Sequence, residues 1–249
     1  MPRLRTRDSL SIVQLLPNLV TIFGLGAGLT AIRFVFEGQF AIATALIVVA
    51  AVVDGLDGLV ARRLRAISNF GAELDTLSDF VCFGVAPGVL VYQFAMSGAP
   101  GIGWVFVLVF VICCCLRLAR FNVHRNAPPP AGREHFIGVP APAGAMLALL
   151  PVFMTLAGLV DLRAQALPVA VYLALVGVLM ISRLRTPSPK SLRIPRERAR
   201  WVLIGGALVV GAIFASFWLL MVALTLVYAG ILAWMFTLAC RRIAARRRD

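Results

Sequence analysis

The chain has 249 residues, 61% of them hydrophobic, with a mean hydropathy of +0.93 and a formal net charge of +13. That composition excludes a soluble globular domain, and the length allows several membrane crossings of roughly 20 residues each. The cations lie between apolar runs rather than along one polar face, which sets nucleic-acid binding aside and reads as a topology signal.

In chain order, apolar runs predict about eight membrane helices, at 13–32, 40–61, 72–95, 103–123, 137–158, 166–182, 201–217 and 220–240. The last two are almost continuous and too long for one crossing of a ~30 Å core at about 1.5 Å per residue, so a turn near Ser216 is expected to divide them. Arg3, Arg5 and Arg7 precede the first run and read as the anchor of an uncleaved first crossing. Eight crossings return both termini to one side. Of the 24 Lys and Arg residues, all but Arg33 and Arg163 fall on that side, which the positive-inside rule makes cytoplasmic. A count of six crossings that drops one hairpin preserves this result. The polar segments 125–136 and 183–200 are cytoplasmic loops rich in proline and arginine, and the tail 241–249 is basic. No internal repeat is evident. The expectation is one polytopic all-α domain over 1–249. Of the five cysteines, Cys113, Cys114 and Cys115 are consecutive in an apolar run and none forms a CxxC pair, so they read as small buried hydrophobes.

The informative stretch runs from Asp54 to Asp79, with the spacing D-x2-D-G-x2-A-R-x8-G-x3-D-x3-D. A carboxylate in a membrane helix costs about 3 kcal/mol on insertion scales, so four of them require a compensating partner, and metal is the natural one. Asp54, Asp57 and Ala61 are spaced i, i+3, i+7, and Gly71, Asp75 and Asp79 i, i+4, i+8, so each set shares one helical face. The short connection makes the two helices an antiparallel hairpin. Asp54 and Asp79 are equally far from its middle and Asp57 and Asp75 nearly so, which puts the cross-pairs at two adjacent depths. Oxygen ligands in that arrangement suit two hard divalent cations, Mg2+ or Mn2+.

Near the mouth, Gly58, Gly71 and the small Ala61 leave room for a ligand, and Arg62 offers a cation to a phosphate. Metals, phosphate and a membrane setting point to phosphoryl transfer involving a lipid, with a carboxylate taking the proton of an incoming hydroxyl. A divalent-cation transporter also uses intramembrane carboxylates. Its site is expected near the bilayer midplane between repeats, and Arg62 at the mouth opposes cation entry.

At these residues the sequence resembles the CDP-alcohol phosphotransferase family: Asp54, Asp57, Gly58, Ala61, Arg62, Gly71, Asp75 and Asp79 occupy every fixed position of its signature. The resemblance implies a six-helix membrane core and a homodimer. It implies two divalent cations held by Asp54, Asp57, Asp75 and Asp79 on the diphosphate of a CDP-linked lipid, Asp79 as general base, and CMP as leaving group.

Four further segments are similar to the serine-accepting branch of that family. They are Pro17-Asn18-Leu19-Val20-Thr21, Leu74 to Asp79 with Phe83-Gly84-Val85-Ala86-Pro87, Arg117-Leu118-Ala119-Arg120-Phe121-Asn122, and Phe136 to Pro142. The likeness implies transfer of a phosphatidyl group from CDP-diacylglycerol to L-serine at the cytoplasmic face of the cell inner membrane. It implies that Asn18 and Thr21 join Gly58, Ala61, Arg62 and Gly71 on the nucleotide or diphosphate, and that Arg117, Arg120 and Asn122 bind the acceptor or a lipid phosphate. Glycerol 3-phosphate or an inositol phosphate stays open as the acceptor, because Arg117, Arg120, Arg125 and Arg133 can serve an extra phosphate. The branch's usual second asparagine in the first helix is absent from Ile22-Phe23-Gly24-Leu25-Gly26. Glu73 falls off the metal face and, like His124 and His135, receives no role.

Overall fold

A computed structural model describes residues 12–64, 68–98, 100–125, 136–182, 185–186 and 199–246. Helices α1 (Ile12–Phe36) and α2 (Phe40–Leu64) pack along each other and are joined by a tight turn. Gly38 makes that turn with φ 72°, a left-handed conformation that a side chain disfavours, and donates its N–H to Val35 O at 3.0 Å.

Helix α3 (Asn69–Met96) is started by Ser68, whose Oγ accepts the Gly71 N–H at 3.0 Å. It is α-helical to Asp79, widens to π-helical turns over Phe80–Val85, returns to α over Ala86–Val91 and widens again over Tyr92–Met96. Pro87 explains the first widening. It has no N–H and its ring crowds the carbonyl one turn back, and the wide turn, with the Ala86 N–H reaching Val81 O, relieves that conflict. The change of pitch therefore begins directly after Asp79.

Helix α4 (Pro100–Arg125) packs against α7 (Ala166–Ile181), and Gly177 makes their contact close: a Cβ there would stand 2.9 Å from the Cα of Phe110. Between them in sequence come α5 (Ala141–Ala148) and α6 (Leu150–Leu156), separated at Leu149, with Pro151 in the first turn of α6. Two short strands, β1 (Phe136–Ile137) and β2 (Arg185–Thr186), pair antiparallel with Phe136 opposite Thr186. Helix α8 (Ala199–Arg246) is broken at Ser216, whose φ of −160° and ψ of 72° are not helical.

Among the described residues five helices are long and apolar enough to cross a membrane: Leu16–Phe36, Phe40–Val60, Asn69–Met96, Gly101–Val123 and Ala215–Thr237. The chain is an all-α integral membrane protein. The other apolar runs take shorter forms: 137–158 becomes the α5–α6 pair, and 166–182 a helix of 16 residues. The two final runs are one helix interrupted at Ser216. The interruption falls where the length of the apolar stretch predicts a turn. Exposed leucines and phenylalanines such as Leu19, Phe23, Leu56 and Leu77 give the bundle an apolar exterior, while Phe83, Phe110 and Phe153 fill its centre.

Candidate active site

Helices α1, α2 and α3 meet around one narrow cleft, with about 200 Å³ of empty space including its open mouth. Asp54 and Asp57 of α2 and Asp75 and Asp79 of α3 all line it, together with Thr21 and Gly24 of α1 and Ser78, Cys82 and Phe83 of α3. Small residues permit this approach: a Cβ on Gly28 would lie 2.5 Å from Cys82 Sγ, and one on Gly24 3.3 Å from Val53 Cγ1. The Cys82 thiol donates to Gly24 O at 3.4 Å, which adds a polar tie between α1 and α3. Ser78 and Cys82 follow Asp75 at i+3 and i+7, so the carboxylate stripe of α3 continues into the contact with α1.

Oxygen atoms of Asp54, Asp57 and Asp75 lie within 4.8 Å of one another. Asp79 lines the same cleft, close enough to Asp54 for the two carboxyl groups to interact. Asp57 is the most enclosed, only 5% exposed, and its Oδ2 accepts the Thr21 hydroxyl at 2.8 Å. That hydroxyl also lies 3.1 Å from Pro17 O, so Thr21 is held by its own helix while it orients the carboxylate.

The donor set fits hard divalent cations. Mg2+ takes oxygen ligands at about 2.1 Å, so ligand atoms around one ion stand no more than about 4 Å apart, close to the spread found here. Carboxyl groups in contact also repel unless a proton or cation lies between them. Among the described residues Arg117 alone brings a positive charge to bear on Asp54 and Asp79.

The other residues singled out by sequence divide by position. Gly71 sits against Asn18: a Cβ would be 2.6 Å from Asn18 Oδ1, so α3 begins in close contact with α1. Gly58 is half-buried on α2. Ala61 and Arg62 belong to the same helix, but their side chains lie outside the described residues. Arg117 is half-buried, with its guanidinium 5.9 Å from the Phe121 ring centre. Arg120 instead donates Nη1 to Ile181 O at 2.9 Å, at the end of α7, where Gly138 makes room for it with φ 91°. Asn122 turns to α3: its Oδ1 accepts from Thr76 at 3.1 Å and its Nδ2 donates to Glu73 Oε2 at 3.4 Å. Of these three α4 residues, Arg117 is the one whose charge bears on Asp54 and Asp79.

Two features escaped the sequence reading. The Thr21 hydroxyl serves Asp57 directly, and Glu73, spaced i, i+3 from Thr76, forms with it the face of α3 that Asn122 grips. The second was signalled by that spacing. The first depends on how α1 rotates against α2, which no local pattern reports.

The profile of the family described as CDP-alcohol phosphatidyltransferase matches residues 14–184. The CDP-diacylglycerol--serine O-phosphatidyltransferase of Mycobacterium leprae (strain TN) is 37% identical over 236 residues, covering 91% of this chain and 75% of that protein. The protein of the same name from Helicobacter pylori (strain 26695) is 35% identical over 225 residues, covering 90% of this chain and 92% of its own length. A third, from Mycobacterium tuberculosis (strain H37Rv), is 48% identical over 146 residues, and there the match spans 51% of the relative. With the eight signature positions filled and the four aspartates gathered in one cleft, these matches establish that the chain belongs to the CDP-alcohol phosphatidyltransferase family.

Proposed function

We propose that this protein transfers the phosphatidyl group of CDP-diacylglycerol to the hydroxyl of L-serine, giving phosphatidylserine and CMP. The observation that carries the reading is the cleft in which Asp54, Asp57, Asp75 and Asp79 converge, set in a chain whose relatives are named for this reaction. Asp54, Asp57 and Asp75 hold two divalent cations, Mg2+ or Mn2+, with Asp79 as a further ligand. Bound there, such cations supply positive charge to the diphosphate and to the departing phosphate. Asp79 takes the proton from the serine hydroxyl, the serine oxygen bonds to the phosphorus that carries the diacylglycerol, and the bond from that phosphorus to the CMP oxygen breaks. Thr21 keeps Asp57 in place. Asn18, Gly58, Ala61, Arg62 and Gly71 form the bed of the nucleotide and diphosphate.

The cleft opens toward the cytoplasm, where CMP leaves and serine is found; the cation asymmetry along the sequence supports that orientation in the inner membrane. The family resemblance supports a homodimer. Of the four arginines that could serve an acceptor with its own phosphate, Arg120 is engaged at Ile181 O, and the side chains of Arg125 and Arg133 lie outside the described residues. A cation-transport role has no comparable support.

The test is CMP release by protein reconstituted with CDP-diacylglycerol, offering serine, glycerol 3-phosphate, inositol phosphate and choline in parallel, with and without Mn2+. Serine should be required. CMP release without serine at the rate of the complete reaction would overturn the acceptor assignment.

A further inference from the structure

Helix α3 is held on two flanks. With about 3.6 residues per turn, Gly71 and Ser78 lie to one side of the stripe of Asp75 and Asp79, and Thr76 and Glu73 to the other. The first flank rests on α1, where Gly71 meets Asn18 and Ser78 Oγ donates to Thr21 O at 3.5 Å. The second meets Asn122 of α4. The Thr76 hydroxyl, also 3.0 Å from Ala72 O of its own helix, donates to Asn122 Oδ1 at 3.1 Å, and Asn122 Nδ2 donates to Glu73 Oε2 at 3.4 Å. A primary amide suits this position because it accepts from one neighbour and donates to the other. Helix α4 otherwise packs on the wide turns Phe80–Val85, beyond Asp79, so Asn122 extends its hold back to the turn that carries Asp75.

The aspartates line the cleft, whereas Thr76, Glu73 and Asn122 stand outside its lining. Their bonds therefore act on the site through the helix. A side-chain tip about 5 Å from a helix axis moves almost 1 Å for each 10° of rotation, and a working site holds its groups to within about 0.5 Å. We propose that Asn122 is a positioning residue for the metal site: by gripping Thr76 and Glu73 it fixes the rotation of α3, and with it how Asp75 and Asp79 face Asp54 and Asp57. This rests on the metal-dependent reading above and assigns Asn122 and Glu73 a joint task in place of contact with substrate.

The experiment reconstitutes the full chain in nanodiscs and compares wild type, Asn122→Asp, and Asn122→Asp combined with Glu73→Gln. The single substitution keeps an acceptor for Thr76 but sets a second carboxylate against Glu73, and like charges in contact repel. The combination turns the bond round, with the amide at position 73 donating to the carboxylate at position 122. Mn2+ binding, titrated by electron paramagnetic resonance without substrate, should weaken roughly tenfold in the single variant and return to within about twofold of wild type in the combination. The kcat for CMP release should follow the same order while the KM for serine stays within about twofold. Recovery separates the two roles, because a carboxylate at position 122 repels a substrate carboxylate or phosphate whether or not Glu73 is changed. Unaltered Mn2+ binding in Asn122→Asp overturns the proposal, even where the unfolding temperature falls. So does a loss that Glu73→Gln leaves unrepaired. Since the titration needs no acceptor, a wild type that binds Mn2+ but releases no CMP with serine refutes the serine reading alone, and a wild type that binds no Mn2+ overturns the positioning role together with the metal site.

Discussion

At the scale of single residues, the four aspartates differ in what they touch, and their substitutions should differ accordingly. Asp79 is the proposed base: Asp79→Asn keeps the shape and removes the proton acceptor, so CMP release should fall by about 10²- to 10⁴-fold with the fold retained. Asp57 depends on Thr21, whose hydroxyl is 2.8 Å from Oδ2. Thr21→Val should weaken Mn2+ binding by roughly 10- to 100-fold, read by titration of bound Mn2+ in an electron paramagnetic resonance experiment, and Thr21→Ser should restore it. A Thr21→Val protein that binds Mn2+ as wild type does would mean that Asp57 needs no orienting partner. The identity and pairing of the carboxylates were legible from spacing, because i, i+3 and i, i+4 positions share a helix face whatever the surroundings. The role of Thr21 was not legible, since it belongs to the contact between two helices.

At the scale of elements, the site is held by close helix approaches that small residues allow. Gly177 abuts the backbone of Phe110, which cannot yield as a side-chain tip can. Gly177→Ala should separate α4 from α7 and lower stability by about 1–3 kcal/mol, measured as a lower unfolding temperature in detergent. Gly28→Ala meets Cys82 instead, next to Ser78 and within the stretch of α3 that follows Asp79. It should lower CMP release more than it lowers the unfolding temperature; equal and small effects on both would show that the α1–α3 spacing is not critical. The widening of α3 after Asp79 was half-visible in Pro87, since a proline inside a membrane helix demands a local remedy. Which remedy, a kink or a wide turn, depended on the neighbours.

At the scale of the whole molecule, charge and apolar length dominate. Reporter fusions at either terminus should both report a cytoplasmic location, the outcome that the positive-inside rule predicts from the distribution of Arg and Lys. A periplasmic signal from one terminus would reduce the crossings to an odd number. Chelation with EDTA should abolish CMP release, and Mg2+ or Mn2+ should restore it without refolding, because the cleft is formed by packed helices rather than by the metal.

Composition, charge distribution and the Asp54 to Asp79 spacing determined a great deal: a polytopic helical membrane protein and two facing carboxylate stripes whose oxygens suit a hard cation. Each of these is a local or additive property, set by helical periodicity or by the cost of burying charge. The tertiary structure decided what periodicity cannot encode. It joined Thr21 to Asp57, and it gave Arg120 to Ile181 O and Asn122 to Thr76 and Glu73. Such contacts depend on the rotation and depth of whole helices, and those are fixed only when the entire bundle packs.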